Sequence, residues 1–532
     1  MRILIIGGVA AGTKAAAKLK REDRFADIKI LTKGKDISYA GCGLPYYVSF
    51  VIPHREDLIV NTPESFSSLT GVEVSTGTEV VDVDFSAHKV IAIKEGRRFE
   101  ESYDKLIIAT GASPFVPDIP GVDIDGVFSV RTPGDAIAMR DWVKKGDKRK
   151  AVVVGAGFIG LEMAENLSSL GLDVTVLDLA DQILPNLFDP EMAFWAERQL
   201  KARGISIFTN TSVSAINGDG VVTGVETSNG LFDADMVVLA IGIRPNTEFL
   251  ASSGLEMFKG TIVVDDKMRT NIEDVYASGD CALVKNRVTG KNQWSAMGST
   301  ANISARILAK SIMGHDVSYS GVLGTGVIKL TEGLNAGRTG LTEAAARESG
   351  FDPISVVAVT DDKAHYYPDS AFFVTKLIAD KKSHRILGLQ VLGAGEVDKM
   401  IDIAVVAISS GLRLSDIDDM DFAYAPPFST AIHPFVQCAY ILENKLLGEF
   451  ETMTPYEFLK THGEGYQMIN ALSPYAFNDF ENTFPNIAKD DKILLVCARG
   501  KRAYFLQNRL KALGYTNTRV LEGGMTVNML NA

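Results

Sequence analysis

AVVVGAGFIGLEMAENL, residues Ala151 to Leu167, decides the fold class. Its apolar run reads as a strand buried on both faces, its glycines at 155, 157 and 160 as a tight turn, and its remainder as a helix. Such a turn lets backbone approach a pyrophosphate closely and sets a helix N-terminus against it. The next strand, DVTVLD, ends in Asp178, near the offset at which a carboxylate grips a free ribose 2′-OH and repels a 2′-phosphate. Asp181 lies three residues on, with no Arg or Lys from Leu179 to Gln182, so Gly155, Gly157, Gly160 and Asp178 are expected to hold NADH in preference to NADPH. The unit closes with DMVVLAIGIRPNTEFL. Glu162, inside the helix, is either a neighbour of the nicotinamide or a solvated helix charge.

The chain start carries the same plan. ILII is an apolar strand, GGVAAG a turn and TKAAAKLKRE a helix-forming run. Gly7 and Gly12 take the outer glycine positions, with Val9 in the middle one. The second strand, IKILT, ends at Thr32, where a hydroxyl replaces the usual carboxylate. YDKLIIATGASPFVP enters a turn through Thr110 and Gly111. Far downstream, TNIEDVYASGDCA places Asp280 after a strand and a glycine, where a carboxylate can accept from the ribityl hydroxyls of a flavin. The expected architecture is therefore α/β, with two Rossmann-like dinucleotide-binding domains, the second inserted in the first: FAD on 1–112 and 246–320, NADH on 113–245. Two nucleotide sites imply electrons passing from one cofactor to the other.

Between the first turn and its return lies SYAGCGLPYY, Ser38 to Tyr47. Cys42 stands between Gly41 and Gly43, four residues after Ser38. A thiol so flanked is open to attack, and at the start of a helix it lies where N–H groups and the helix dipole favour the thiolate. Cys281, beside Asp280, reads as a small apolar filler.

Composition limits the alternatives. At 532 residues three to four domains are expected. A net charge of −12 argues against nucleic acid or an anionic membrane as the main partner. Four cysteines, at 42, 281, 438 and 497, form no CxxC pair, so neither a metal site nor a disulfide framework is expected, and a reducing cytoplasm is. The opening residues read as a buried strand rather than a signal peptide, and no apolar run is long enough to span a bilayer.

The FAD unit, inserted NAD unit and return through YASGD resemble the pyridine nucleotide–disulfide oxidoreductase superfamily over residues 1 to about 446. Most members carry CxxxxC; here Ile37 and Tyr47 stand five residues either side of Cys42. The SxxxC form resembles the single-cysteine branch of coenzyme A-disulfide reductases, NADH oxidases and NADH peroxidases. Ala10 occupies the position of a histidine found in the peroxidase and many oxidases, so the resemblance leans to coenzyme A. It implies an α+β dimerisation domain at 321–446, a homodimer, and tyrosine hydroxyls near the cysteine. Those fall on Tyr424 of AYAPPFS (423–429) and on Tyr366 or Tyr367 of HYYP (365–368). Lys14, Lys18 and Arg21 sit where the family contacts coenzyme A; their i, i+4, i+7 spacing makes one basic face, which a solvated surface explains equally. Gly41 replaces a frequent asparagine, and Ile432 a substrate-holding lysine.

At the end, KILLVCARGKRAYFLQNRLKALGY reads as strand, loop (497–503) and helix, resembling a small α/β rhodanese-like domain at 450–532. Such a loop aims N–H groups and a helix N-terminus at one sulfur, here Cys497, with Arg499, Lys501 and Arg502 adding charge. The family's Asp-Val-Arg segment is missing from YQMINALSPYAF, so a truncated or vestigial domain is the other reading. The resemblance implies a reductase in which NADH reduces FAD and the electrons reach a mixed disulfide of Cys42 with coenzyme A. Its substrate is coenzyme A persulfide, polysulfide or coenzyme A disulfide. An NADH oxidase, with oxygen as acceptor and Cys42 cycling through sulfenate, and a persulfide carrier or sensor are the alternatives.

Overall fold

The computed structural model describes residues 1–146 and 149–528 and divides the chain into two compact units. The first comprises 1–179 and 205–322; the second comprises 180–204 and 323–532.

The first unit contains one plan twice. Strand Arg2–Ile6 is the centre of a five-stranded parallel sheet, flanked by Asp27–Leu31 and Glu73–Ser75 on one side and by Lys105–Ile108 and Val275–Ala277 on the other. Strand Lys150–Val154 has the same place in a second such sheet, between Asp173–Leu177 and Met236–Leu239. Both centres are buried on both faces over nearly their full length, which explains their continuous apolar runs. Each sheet is accompanied by a three-stranded antiparallel meander, Thr78–Asp84 to Arg97–Ser102 in the first case and Val213–Gly218 to Gly230–Asp233 in the second. A short antiparallel pair, Ala112–Pro114 with Ile243–Pro245, links the two connecting segments.

Helices Ala10–Glu22 and Phe158–Ser169 come directly after the two glycine turns, and neither has a side-chain cap at its start. Helix Pro133–Lys144, by contrast, opens on a complete Thr132–Asp135 capping box. Lys20 and Arg21 in the last turn of the first helix complement its dipole.

In the second unit, five antiparallel strands run in the spatial order Gly326–Thr331, Leu334–Gly340, Ile386–Gly393, Phe372–Asp380, Pro353–Asp361. Helices Val397–Ser410 and Pro434–Leu446 pack against this sheet. Helix Pro190–Ala202 is fastened to it by ions. Lys376 Nζ, almost wholly buried, donates to Glu191 Oε1 (2.7 Å) and Glu343 Oε2 (2.9 Å) and lies 3.2 Å from Asp189 Oδ2. Gln390 also donates to Asp189. Lys376 draws the Glu343 carboxyl down to about 2 against the effect of its burial. Removing one member of such a cluster strands buried charge, at a cost of about 3–5 kcal/mol.

The chain end forms a four-stranded parallel sheet, Thr452–Met453, Thr518–Leu521, Ile493–Val496, Gln467–Asn470. Buried Glu522 joins it to the antiparallel sheet: it accepts from Lys445 Nζ (2.6 Å), Thr452 Oγ1 (2.6 Å) and the Val357 N–H (2.8 Å). No described helix is long and apolar enough to cross a membrane.

Candidate active site

The two glycine turns show why their outer positions admit no side chain. A Cβ on Gly7 would overlap the Ala109 carbonyl, and one on Gly12 the Gly7 carbonyl. Gly155 and Gly160 stand in the same relation to the Ala240 and Gly155 carbonyls. The middle position differs: a Cβ on Gly157 meets nothing within 4 Å, and Val9 occupies the matching place. The first turn opens on a cleft of about 960 Å³ whose lining includes Gly7, Val9, Thr32, Thr110, Gly111 and Asp280. A glycine cradle, an uncapped helix start and a cleft of that size fit a dinucleotide such as FAD. In the second turn the Asp178 carboxylate accepts from the Ala156 N–H at 2.6 Å, which brings it to the edge of the turn.

Asp280 is not the open carboxylate that its place in the sequence suggests. Arg131 Nη2 donates to its Oδ2 at 2.8 Å. Arg131 precedes the Thr132 cap, and no motif in the sequence marks it.

Ser38 takes a left-handed backbone (φ 47°), held by its N–H to the Gly8 carbonyl (3.0 Å) and its carbonyl to the Val60 N–H (2.9 Å). These bonds tie the cysteine loop to the first glycine turn. Cys42 is exposed, in the 3₁₀ turn Gly41–Gly43, and open space surrounds the position of a Gly41 Cβ, so the loss of asparagine there leaves room beside the thiol. Helix Leu44–Val48 then packs on helix Phe158–Ser169. Tyr46 Oη donates to Glu162 Oε1 at 3.3 Å, and Ser49 Oγ donates to Asn166 Oδ1. Arg140, nearly buried, is sandwiched between the Tyr47 and Phe50 rings at 4.2 Å from each centroid. Tyr46, Arg140 and the pairing of Glu162 had no sequence motif to announce them.

The expected bias toward thiolate at Cys42 is corrected by its surroundings. The adjoining helix has five residues, too few for a substantial dipole, and no described N–H donates to the sulfur. Enclosure by protein, then the carboxylates of Glu162 and Asp280, push the thiol upward, and Arg131 opposes them. Burial likewise lifts Glu162 to about 7, and burial together with Glu162 lifts Tyr46 to about 12.

The basic face of helix Ala10–Glu22 is narrower than its sequence reads. Lys18 is paired with Glu22, which also meets His315 Nε2 at 2.9 Å, so Lys18 is already balanced by an acid. These partners hold the Glu22 carboxyl at about 2.

In the second unit the Ala364 N–H donates to the Pro426 carbonyl (3.3 Å), joining HYYP to AYAPPFS. Tyr366 and Tyr424 hydroxyls meet at 3.4 Å, both side chains exposed; this bond pushes the Tyr424 hydroxyl upward. Of the two candidate partners of Tyr424, then, Tyr366 is the one in contact.

Cys497 is 2% exposed, and its Sγ accepts from the Gly500 N–H (3.2 Å) and the Ala503 N–H (3.4 Å) at the start of helix Lys501–Ala512. That helix begins two residues earlier than the expected end of the loop. Arg499 is committed elsewhere, to Asp361 Oδ1 at 2.5 Å, and Arg502 lies over the Phe477 ring. No cluster of three or more His, Cys, Asp or Glu side chains suited to a metal occurs among the described residues.

Three family descriptions match the chain: "pyridine nucleotide-disulphide oxidoreductase" at residues 1–301, the dimerisation domain of the same family at 331–435, and "rhodanese-like domain" at 443–527. A protein of Methanocaldococcus jannaschii named NADH oxidase is 36% identical over 82% of this chain and 97% of its own length. A Pyrococcus furiosus protein named NAD(P)H sulfur oxidoreductase (CoA-dependent) is 34% identical over 83% of this chain and 99% of its own. The solved structure of an NAD-dependent persulfide reductase from A. fulgidus matches with a TM-score of 0.93 and 35% identity, covering 99% of this chain and 100% of that one. Glycine cradles, single-cysteine loop and sequence likeness agree: the chain belongs to the pyridine nucleotide-disulphide oxidoreductase family.

Proposed function

We propose that this protein is a flavoprotein reductase that uses NADH to reduce coenzyme A persulfide, polysulfide or coenzyme A disulfide at Cys42. The observation that carries it is an exposed thiol on a loop bonded to the first glycine turn through the Ser38 N–H and the Gly8 carbonyl, with Tyr39 of the same loop lining the dinucleotide cleft. Likeness to the persulfide and sulfur reductases along the chain supports the substrate class. FAD, when bound, supplies two-electron transfer between nicotinamide and sulfur.

The chain's residues do the rest. The Cys42 thiolate attacks the coenzyme A-bearing sulfur of the persulfide; an S–S bond forms, the old one breaks, and hydrosulfide leaves with its electron pair. NADH supplies two electrons and a proton to the Cys42–coenzyme A disulfide, whose S–S bond breaks to return the Cys42 thiolate and release coenzyme A as its thiol, with NAD⁺ as the oxidised product. Ser38 holds the loop to the nucleotide turn, and the Tyr366–Tyr424 hydroxyl pair is assigned as donor to the leaving sulfur. Lys14 and Arg21, with Lys18 neutralised in part, are the contacts for the phosphates of coenzyme A. Asp178 selects NADH, and Thr32, Thr110, Gly111 and Asp280 hold FAD. Cys497 handles sulfur in the rhodanese-like domain, and the enzyme works as a homodimer in the cytoplasm.

Cys42→Ser is expected to abolish NADH-dependent reduction of coenzyme A persulfide while the purified protein keeps its flavin spectrum. Undiminished turnover in that variant overturns the proposal. Oxygen as acceptor is the second reading, favoured by the name of the Methanocaldococcus relative. Oxygen uptake that exceeds persulfide-dependent NADH consumption at equal substrate concentration selects it.

A further inference from the structure

The loop that cradles Cys497 is not held by its own domain alone. The rhodanese-like match covers residues 443–527, yet Asp361, Phe372 and Trp195, which fasten the loop, lie outside it. Arg499, two residues after the cysteine, donates to Asp361 Oδ1, and its guanidinium lies over the Phe372 ring, 5.3 Å from the centroid. Asp361 and Phe372 are register partners on neighbouring strands, so both meet the arginine at one place on the antiparallel sheet. Trp195, on helix Pro190–Ala202, stands edge-on to the same Phe372 ring, and its indole N–H donates to the Thr526 carbonyl at 3.1 Å. Thr526 in turn gives its N–H (3.1 Å) and its hydroxyl (3.0 Å) to the Ala498 carbonyl. Both residues between Cys497 and Gly500 are thus anchored beyond the domain, Ala498 through Thr526 to Trp195 and Arg499 directly. Gly500, whose N–H points at the sulfur, has φ 96°, a backbone region in which glycine moves freely. The aim of that N–H therefore depends on how firmly its neighbours are held.

We propose that Asp361 and Trp195 are positioning residues for sulfur transfer at Cys497, holding the loop in the form that aims the Gly500 and Ala503 N–H groups at the sulfur. Arg499 is then the anchor of the loop and not a contact for an anionic sulfur donor. With thiosulfate as donor, the Cys497 thiolate takes the outer sulfur, the S–S bond breaks and sulfite leaves with its electron pair. Cyanide then removes that sulfur as thiocyanate and returns the thiolate. The proposal rests on Cys497 as a sulfur carrier, and one arm of its test does not use that activity.

The test uses the full-length, flavin-loaded protein. Trp195→Phe keeps a buried ring but loses the donor to Thr526, and kcat for thiosulfate-to-cyanide transfer is expected to fall about tenfold. Asp361→Asn is expected to cost about fivefold, less because the ion pair is partly exposed and screened. In both variants KM for thiosulfate should stay within about twofold of wild type. Adding Arg499→Gln to Asp361→Asn should cost nothing further, since the two side chains act through one bond. Multiplied losses, or a KM that rises in step with the fall in rate, would put Arg499 on the donor and overturn the proposal. The second arm is alkylation of Cys497 by iodoacetamide, read by mass spectrometry of its peptide. A loosened loop admits reagent to a sulfur that is otherwise shut in, so both variants should react at least threefold faster, with Cys42 unchanged. Alkylation of Cys497 at the wild-type rate in both also overturns it. Wild-type protein without sulfur transfer would end the carrier reading, and the alkylation rates would still decide whether the loop is held from outside its domain.

Discussion

The two sulfurs of interest, Cys42 and Cys497, are built on opposite principles. Cys497 is shut from solvent, and two N–H groups at the start of a twelve-residue helix already point at its sulfur. Its cradle is complete within the chain and suits an anion held on one atom. Cys42 is exposed, receives no described N–H, and faces two carboxylates. A preformed cradle stores a charge; an uncradled thiol on a loop tied to the cofactor turn lets the charge depend on what is bound and on the acids and the cation around it. The first arrangement suits carrying sulfur and the second suits exchanging electrons for it.

The largest expected effect separates the two directly. Cys42→Ser should lower NADH-dependent reduction of free coenzyme A persulfide by about three orders of magnitude or more, as loss of a covalent nucleophile does. Cys497→Ser should leave that rate within about twofold and remove sulfur transfer from thiosulfate to cyanide. Steady-state rates of both reactions in both variants check this, and equal losses of both activities in either variant would merge the two sites. Next comes Gly524→Ala. Gly524 has φ 54°, and an added Cβ would overlap the Cys497 carbonyl, whose oxygen accepts from the Met525 N–H. The left-handed backbone alone costs an alanine about 1–2 kcal/mol, before any clash. Sulfur transfer should fall at least tenfold, while alkylation of Cys42 keeps its rate.

The same contrast marks what the sequence could disclose. Both glycine turns were legible because the last glycine of each answers to the first a few residues away, Gly12 to Gly7 and Gly160 to Gly155, even though Gly7 and Gly155 themselves face the distant Ala109 and Ala240 carbonyls. The loop of Cys497 was legible for a related reason: its donors, Gly500 and Ala503, lie within six residues of the sulfur. The surroundings of Cys42 come from far along the chain. Glu162 stands 116 residues beyond its partner Tyr46, and Arg131 stands 149 before Asp280. No periodicity or spacing encodes such meetings. Local reading therefore overstated the helix dipole at Cys42 and missed the acids that oppose it. The Lys376 cluster was hidden in the same way, since Asp189 and Glu191 find their partner far along the chain, on strand Phe372–Asp380.

The finest test of the contrast is Arg131→Gln. Arg131 is the cation that lowers the Cys42 thiol, and it also holds Asp280 at 2.8 Å. Its loss removes an attraction for the thiolate and frees Asp280 to repel it, so both consequences raise the thiol further. At fixed pH near 8 less thiolate is then present, and alkylation of Cys42 should slow by about two- to tenfold. The guanidinium is one-third exposed and water screens part of its field, which limits the effect to that range. Cys497 draws its stabilisation from backbone N–H groups, so sulfur transfer should not move. Faster alkylation of Cys42 in this variant would reverse the assigned sign of its electrostatics, and a parallel change at Cys497 would mean that the two sulfurs share a field.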